Sequence, residues 1–188
     1  MLTFAVAKRM IWTTEEAKQH HYSSDNLAKA LPALLDKSLP VLDFGCGRGD
    51  YLKFLAKKGF ECIGIEGTPD ASQFKNTHVA DLSKPVTIDL PKGNVLSFEV
   101  GEHIEKEGES NFLDTLARFA EKRIVMSWAI PGQGGIGHVN ERSNVYIVRR
   151  MQERNFVYNR RLSNEIRQKM NGDALWWFQN TLLVFDRF

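Results

Sequence analysis

The chain has 188 residues, of which 43% are hydrophobic and 26% charged, and its formal net charge is +2. These values fit one globular domain with a sizeable core. Two cysteines are too few for a disulfide framework and indicate a reducing compartment, so we expect a cytoplasmic protein. The apolar run before Lys8 is too short for a signal peptide or a membrane span, and we expect a packing arm and no membrane partner.

Charge is unevenly distributed along the chain. Residues 99–121 carry seven acidic side chains against two basic ones, whereas residues 142–169 carry eight basic side chains against two acidic ones. A basic stretch indicates either a nucleic-acid footprint or the solvated face of an amphipathic helix. We favour the solvated face, because the arginines are spread along the segment.

Two helices are predicted before residue 40. A capping-box pattern, with Thr13 as the cap and Glu16 three residues later, should open a helix that runs through His20 and His21. We expect these two histidines to be solvated or capping residues. A second helix should follow Ser24 and end near residue 35.

Strands and helices alternate in the rest of the chain, which predicts an α/β sheet, mostly parallel and covered on both faces. The last strand, at the end of the chain, can add antiparallel to its neighbours. The predicted strands are residues 41–44, 61–66, 78–80, 94–100, 123–129, 156–159 and 181–187. The predicted helices are residues 50–58, 108–122 and 145–154.

The first strand runs directly into a glycine turn, Gly45-Cys46-Gly47-Arg48-Gly49, and then into a helix. Such a turn directs backbone N–H groups and the positive end of the helix dipole at a ligand. The third glycine falls one position too early for a dinucleotide site, and no Gly-Lys-Ser/Thr ending of a nucleotide-binding loop follows. Asp43 would repel a pyrophosphate and attract an ammonium or sulfonium group.

Acidic residues follow four successive strands: Asp43, Glu66, Asp81, and the pair Glu99 and Glu102. In α/β sheets ligands bind outside the carboxyl ends of the strands, and a carboxylate in the position of Glu66 can accept both ribose hydroxyls. The pattern favours a nucleoside ligand with no phosphate. We expect no metal site, because the acids are better used on the cofactor and no set of residues has a convincing ligand spacing.

This pattern resembles the class I S-adenosylmethionine-dependent methyltransferases. Their first motif, an acid followed by G-x-G-x-G, is matched by Asp43 and the glycine turn, and their fourth-strand motif often ends in Glu-His, as do Glu102 and His103. The resemblance implies S-adenosylmethionine as the cofactor. The cofactor-binding residues it implies are Asp43, Gly45, Cys46, Gly47, Gly49, Glu66, Gly67, Asp81, Leu82, Glu99 and Val100.

The resemblance also implies a fold. That fold is a Rossmann-like three-layer sandwich with a seven-stranded, mostly parallel sheet and an antiparallel last strand. Residues 1–188 would form a single methyltransferase domain, with residues 1–38 as a helical arm over the substrate side and residues 39–188 as the cofactor-binding core. No inserted substrate lid is evident. The Asn-Pro-Pro-aromatic motif and the Lys-Asp-Lys-Glu set of nucleic-acid methyltransferases are also absent.

The loop after the fifth strand, SWAIPGQGGIGHVNERSN, is rich in glycine and emerges beside the expected methyl donor. We expect it to close over the acceptor, with His138 as a general base and Asn140 as an orienting hydrogen-bond partner. The alternative is a rigid structural turn. His103 is a second catalytic candidate, although it can instead contact the cofactor or hold the loop.

Two further features are expected to be structural. The sequence Trp176-Trp177-Phe178 favours packing in the core or at its rim over a base-stacking platform. Cys46 lies near a helix N-terminus but is expected to be unreactive.

The predicted function is transfer of the sulfonium methyl group to an oxygen or nitrogen of a small-molecule acceptor. Alignment of donor and acceptor would supply most of the catalysis. Two alternatives stay open: an RNA methyltransferase that uses residues 142–169 on phosphates, and a catalytically silent cofactor-binding partner subunit.

Overall fold

The computed structural model describes residues 21–188, so most of the helix predicted from Thr13, including His20, lies outside the described residues. The strands are β1 (Val41–Phe44), β2 (Cys62–Glu66), β3 (Thr77–Val79), β4 (Gly93–Ser97), β5 (Ala120–Met126), β6 (Phe156–Tyr158) and β7 (Leu183–Arg187). The α-helices are α1 (Asp25–Ala30), α2 (Asp50–Lys57), α3 (Glu109–Phe119), α4 (Asn144–Gln152), α5 (Arg160–Gln168) and α6 (Phe178–Thr181). Short 3-10 turns follow α1 at Leu31–Ala33 and β4 at Gly101–His103.

The strands of the described residues form one seven-stranded sheet in the order β3-β2-β1-β4-β5-β7-β6. Strands β1 to β5 pair in parallel, and β7 is antiparallel to both of its neighbours, β5 and β6. This confirms the Rossmann-like fold and the antiparallel last strand. The chain direction across the sheet reverses between β1 and β4, and ligands of open α/β sheets bind at the carboxyl ends of the strands at such a point.

The central strands are apolar on both sides, which is why they are covered by two layers of helices. Successive residues alternate between two core clusters: Val41 belongs to one and Leu42 to the other. The first cluster contains Leu52 of α2 and Ile166 of α5, and the second contains Leu116 of α3. The result is the predicted three-layer arrangement of helices, sheet and helices.

The observed bounds differ from the predicted ones near β5. Helix α3 ends at Phe119 and β5 begins at Ala120, three residues earlier than predicted. The apolar residues Ile124–Met126 of β5 pair with Val95–Ser97 of β4. Ala120 also pairs with Gly93, and this pairing moves the start of β5 to Ala120. Helix α5 was not predicted from the sequence. Its N-terminus is capped by Asn159, whose side-chain oxygen accepts a hydrogen bond from the backbone N–H of Leu162 at 3.0 Å.

Among residues 21–188, none of the helices combines the length and the apolar character needed to cross a membrane.

Candidate cofactor and acceptor site

A cavity of about 770 Å³ opens at the carboxyl ends of β1, β2 and β4. It lies at the reversal of chain direction, where the sequence predicted a ligand. Gly49 is the one predicted cofactor residue that does not line it. The predicted residues on its wall are Asp43, Gly45, Cys46, Gly47, Glu66, Gly67, Asp81, Leu82, Glu99, Val100, His103 and His138.

The glycine turn needs glycine for two reasons. Gly45 has a φ of +82°, and a Cβ atom there would lie 2.3 Å from Cγ2 of Val100. Gly49 has a φ of +74° and precedes the first residue of α2. Any other residue would be strained at these φ values, and at Gly45 it would also clash, so the backbone can approach a ligand closely only with glycine here.

Glu66 anchors this turn. Its Oε2 accepts a hydrogen bond from the backbone N–H of Gly47 at 2.8 Å, and its Oε1 accepts one from Thr68 at 2.9 Å. Each carboxylate oxygen has a second lone pair. The side chain can therefore hold the turn and still accept hydroxyl groups from a ligand, and its role towards ribose stays a prediction.

Asp43 lies beneath the turn and is only 2% exposed. Burial, with a smaller contribution from the negative charge of Glu66, raises the pKa of Asp43 to about 7. A cationic ligand beside it would favour the ionised carboxylate. The cavity wall thus contains an acid whose charge depends on what is bound.

Asp81 and Cys46 are held by their neighbours. Oδ1 of Asp81 accepts hydrogen bonds from the hydroxyl and the backbone N–H of Ser83 at 2.6 and 3.1 Å, and Lys84 lies 3.5 Å from Oδ2. The Cys46 thiol is buried, and burial, followed by the charges of Asp43 and Glu66, raises its pKa well above the ordinary value. A raised thiol pKa opposes thiolate chemistry, and the expectation that Cys46 is unreactive stays a prediction.

The loop after β5 is docked on the 3-10 turn that follows β4. The carbonyl oxygen of Glu102 accepts hydrogen bonds from the backbone N–H groups of Val139 and Asn140 at 2.8 and 3.0 Å. Nδ1 of His103 lies 3.2 Å from the carbonyl oxygen of Gly137. These contacts favour the rigid-turn alternative for this part of the loop over a segment that is open and must close.

His138 lies on the cavity wall beside His103. The two ring centroids are 5.0 Å apart with an interplanar angle of 86°. Nδ1 of His138 is 3.1 Å from Oε1 of Glu141. Burial, followed by the proximity of His138, lowers the pKa of His103 to about 4, so the His103 imidazole is neutral at physiological pH.

Asn140 does not orient an acceptor, contrary to the prediction. The residue is 1% exposed, and its amide nitrogen donates a hydrogen bond to Oε2 of Glu109 at 3.0 Å, away from the cavity. Its backbone carbonyl oxygen accepts a hydrogen bond from the indole N–H of Trp128 at 2.7 Å. Asn140 therefore fixes the loop to the second core cluster.

Aromatic residues and His21 also line the cavity. Trp176, Trp177 and Phe178 all line it. Phe178 is buried in the first core cluster, as predicted, whereas Trp176 is 56% exposed at the rim. His21, expected to be a solvated or capping residue, is half-buried instead. Its ring packs so closely on Gly47 that a Cβ atom there would lie 2.7 Å from Nδ1 of His21.

The structure also brings together residues that the sequence spacing did not group. One ligand atom from each of Glu102, His103 and His138 lies within 4.8 Å of the other two. The sequence predicted no metal-ligand cluster, because His138 belongs to a different loop and reaches the pair only through loop docking. No signal in the sequence specifies that docking.

A parallel sheet with a glycine turn after β1 and acids at successive strand ends defines a Rossmann-like domain of the nucleoside-binding type. Residues 16–119 match the family model described as a methyltransferase domain. The chain belongs to this methyltransferase family. Comparison with curated proteins gives no match.

Solved structures with the same fold are similar to this chain. Magnesium protoporphyrin IX methyltransferase (ChlM) from Synechocystis PCC 6803, with bound SAH, has 20% identity and a TM-score of 0.63 over 87% of this chain and 81% of that one. A TehB-like SAM-dependent methyltransferase from Corynebacterium glutamicum has 15% identity and a TM-score of 0.62 over 92% of each chain. The CcbJ methyltransferase from Streptomyces caelestis has 12% identity and a TM-score of 0.63 over 87% and 89%.

The fold and the family together establish the activity class. The protein is an S-adenosylmethionine-dependent methyltransferase, and S-adenosylmethionine is its cofactor.

Proposed function

We propose that this methyltransferase transfers the sulfonium methyl group of S-adenosylmethionine to an oxygen or nitrogen of a small-molecule acceptor by in-line displacement. The observation that carries the proposal is the cavity of about 770 Å³, which is lined by acids, by the glycine turn and by His103 and His138. Small-molecule sites occupy roughly 300–1,000 Å³. A volume in the upper part of that range suits a cofactor together with a small acceptor.

The cofactor occupies the wall formed by the ends of β1, β2 and β4. Glu66 accepts hydrogen bonds from the ribose hydroxyl groups, and Asp43 faces the cationic methionine end of the cofactor. Asp81 and Leu82 border the base. The full set of cofactor residues is Asp43, Gly45, Cys46, Gly47, Gly49, Glu66, Gly67, Asp81, Leu82, Glu99 and Val100.

The acceptor occupies the wall formed by His103 and His138. Holding the acceptor in line with the methyl group can supply roughly 7–11 kcal/mol of the barrier. His138 is the residue that acts on the acceptor's proton, and its contact with Glu141 at 3.1 Å orients the ring. The loop is already docked, so alignment does not depend on a large closure.

In this proposal residues 1–38 form an arm over the acceptor side of a single domain of residues 1–188, and residues 1–20 of that arm lie outside the described part of the chain. Tyr22 and Ser23 line the cavity, which supports an arm of residues 1–38 over the substrate and a cofactor-binding core of residues 39–188. Both cysteines are free and buried, in keeping with the cytoplasmic location, which stays a prediction.

A small acceptor is favoured over RNA because many arginines of residues 142–169 already have acidic or backbone partners. Arg142 binds Glu109 at 2.7 Å, and Arg154 binds Asp114 at 2.8 Å. Arg161 pairs with Glu165 at 2.7 Å, and Arg167 donates to the carbonyl oxygen of Leu182 at 2.7 Å. Phosphate binding would have to break or share these contacts.

The test is a labelling screen. Purified protein and methyl-labelled S-adenosylmethionine are incubated with a metabolite pool in one reaction and with an RNA pool in another. The labelled product is identified by mass spectrometry. We expect label in a low-mass compound, on oxygen or nitrogen. The His138→Ala variant should lose most of the labelling, by about 10²–10⁴-fold if the histidine acts as a general base, and label confined to RNA would contradict the small-acceptor proposal.

A further inference from the structure

Four titratable side chains converge between the cofactor wall and the acceptor wall: Glu99, Glu102, His103 and His138. One ligand atom each from Glu102, His103 and His138 lies within 4.8 Å of the other two. Glu99 lies beside them, because its carboxyl group interacts with both Glu102 and His138. The set combines two carboxyl groups with two imidazoles at one point of the cavity.

Glu102 is the most unusual member. Its side chain is 0% exposed, and within residues 21–188 neither of its carboxylate oxygens has a hydrogen bond of ordinary geometry, although the backbone of Ala129 and the carboxyl group of Glu99 lie close to it. Oε1 of Glu99 is also buried without a partner in the same part of the chain. A buried carboxylate is costly unless it is paired or coordinates a metal. One ligand atom of Glu102 lies within 4.8 Å of one from each histidine, so an ion shared by these side chains would give the buried carboxylate a partner.

The histidines are supported in the way that metal ligands usually are. A ligating histidine generally donates its second ring N–H to a carbonyl or a carboxylate, which fixes its tautomer and orientation. Here His103 has the carbonyl oxygen of Gly137 at 3.2 Å, and His138 has the carboxylate of Glu141 at 3.1 Å. Glu141 is itself held by the backbone N–H groups of Gly132 and Gly134 at 2.7 and 2.8 Å.

We propose that Glu102, His103 and His138 bind one divalent first-row transition-metal ion, with Glu99 beside it and an open coordination position towards the cavity. Two imidazoles and one carboxylate form a common donor set for catalytic ions of this class, with the remaining position left to water or substrate. Bonds of about 2.0–2.2 Å to a shared ion require ligand atoms somewhat closer than those seen here.

The position of the ion in the cavity indicates a role in activating the acceptor. This role rests on the proposed methyl transfer. With the ion bound, His138 is a ligand and no longer the general base: an acceptor hydroxyl in the open position loses its proton more readily, and the proton passes to solvent. The oxygen then forms a bond to the methyl carbon while the carbon–sulfur bond breaks, and the electron pair of that bond stays on sulfur. The site therefore favours a hydroxyl acceptor over an amine.

Metal binding is tested without cofactor or acceptor, so that its outcome is independent of the proposed function. Protein stripped with EDTA is titrated with MnCl₂, and free Mn²⁺ is followed by electron paramagnetic resonance. We expect one Mn²⁺ per chain in the wild type. His138→Ala and Glu102→Gln should each weaken binding at least about tenfold, since even indirect partners of a metal site contribute 10–100-fold.

Glu105→Gln is the matched control. Glu105 also lines the cavity, three positions along the chain from Glu102, but does not belong to the group of ligand atoms. Its replacement should leave Mn²⁺ binding within about twofold of the wild type. Circular dichroism checks that each variant is folded. If Glu102→Gln does not fold, His138→Ala decides the question, because its side chain lies in the docked loop and not in the core.

The proposal is overturned if the wild type binds no Mn²⁺ and a parallel titration with Zn²⁺ also shows no binding. It is equally overturned if the ion binds but His138→Ala leaves its affinity unchanged. A methyl-transfer activity that survives either result would leave the proposed function in place without a metal.

Discussion

The carboxylate of Glu66, at the end of β2, holds the turn that follows β1: its Oε2 accepts a hydrogen bond from the backbone N–H of Gly47 at 2.8 Å. Its other oxygen binds the N–H of Thr68 at 2.9 Å. The side chain proposed to bind ribose is therefore also the one that shapes the turn beneath the cofactor. Cofactor affinity and local geometry depend on the same residue.

Replacing Glu66 by Ala should lower the affinity for S-adenosylmethionine by roughly ten- to over a hundredfold. Hydrogen bonds to a charged group contribute about 1.5–3 kcal/mol. The melting temperature should also fall, because two N–H groups lose their acceptor. Isothermal titration calorimetry and thermal unfolding measure the two effects. Glu61→Ala, an exposed acid just before β2, is the control, and an unchanged affinity in folded Glu66→Ala would remove Glu66 from the site.

Asp43 should make the cofactor-free protein less stable as the pH rises. Its pKa is about 7 in the folded protein against 3.8 ordinarily, so the folded state binds the extra proton between these values. Its contribution to stability is fully present below about pH 4 and is lost as the pH rises to about 7. At about 1.4 kcal/mol per pKa unit, the loss is on the order of 4 kcal/mol.

Asp43→Asn should therefore be more stable than the wild type at pH 8 and should show a smaller loss of stability between pH 4 and 7. Urea unfolding across this pH range measures the difference. The same variant should bind S-adenosylmethionine more weakly, because the cationic ligand favours the ionised carboxylate. Equal pH profiles for the two proteins would contradict the buried, proton-binding role of Asp43.

Gly135→Ala should displace His138 without removing it. A Cβ atom on Gly135 would lie 2.2 Å from Nε2 of His138, so the ring must move. Misplacing a catalytic group by about 1 Å can cost roughly a hundredfold in rate. We expect turnover on the acceptor found by labelling to fall by about this factor while cofactor affinity changes less than about threefold. The neighbouring, exposed Ile136 supplies the control Ile136→Ala, and full turnover in Gly135→Ala would show that the position of His138 does not matter.

Generic RNA should bind only weakly, with a Kd on the order of 10⁻⁴–10⁻⁶ M at physiological salt. Arg150 already pairs with Glu153, and Arg149 lies 3.6 Å from the same carboxylate. Fluorescence anisotropy with single-stranded and duplex RNA measures the affinity. Nanomolar binding that weakens steeply with salt, and that is lost when Arg149 and Arg150 are changed to Ala, would reverse this expectation.

Much of the sheet could be predicted from the sequence because its determinants are local. The buried run Val41–Phe44, the glycine turn and Glu66 lie in continuous stretches whose residue types report burial and backbone conformation directly. Both β1 and the antiparallel β7 were confirmed. Helix α5 was missed although its pattern is helical: Leu162 and Ile166 lie four positions apart on one face, and the rest of the segment is polar.

The acceptor side was harder to predict because it depends on long-range docking. His138 reaches Glu102 and His103 only because the backbone N–H groups of Val139 and Asn140 bind the carbonyl oxygen of Glu102. Backbone hydrogen bonds between distant loops leave no periodic pattern in the sequence. For the same reason the role predicted for Asn140 was wrong. The prediction placed its side chain in the cavity, whereas the side chain donates a hydrogen bond to Glu109 of α3 in the interior.

A crystal structure with bound S-adenosylhomocysteine tests the central claim, the shared cofactor and acceptor cavity, most directly. We expect the ribose hydroxyls within hydrogen-bond distance of the Glu66 carboxylate, at about 2.5–3.0 Å, and the methionine end beside Asp43. The sulfur should face His103 and His138 across open space for an acceptor. Density for the ligand outside this cavity, or in it with the sulfur turned away from both histidines, would contradict the account.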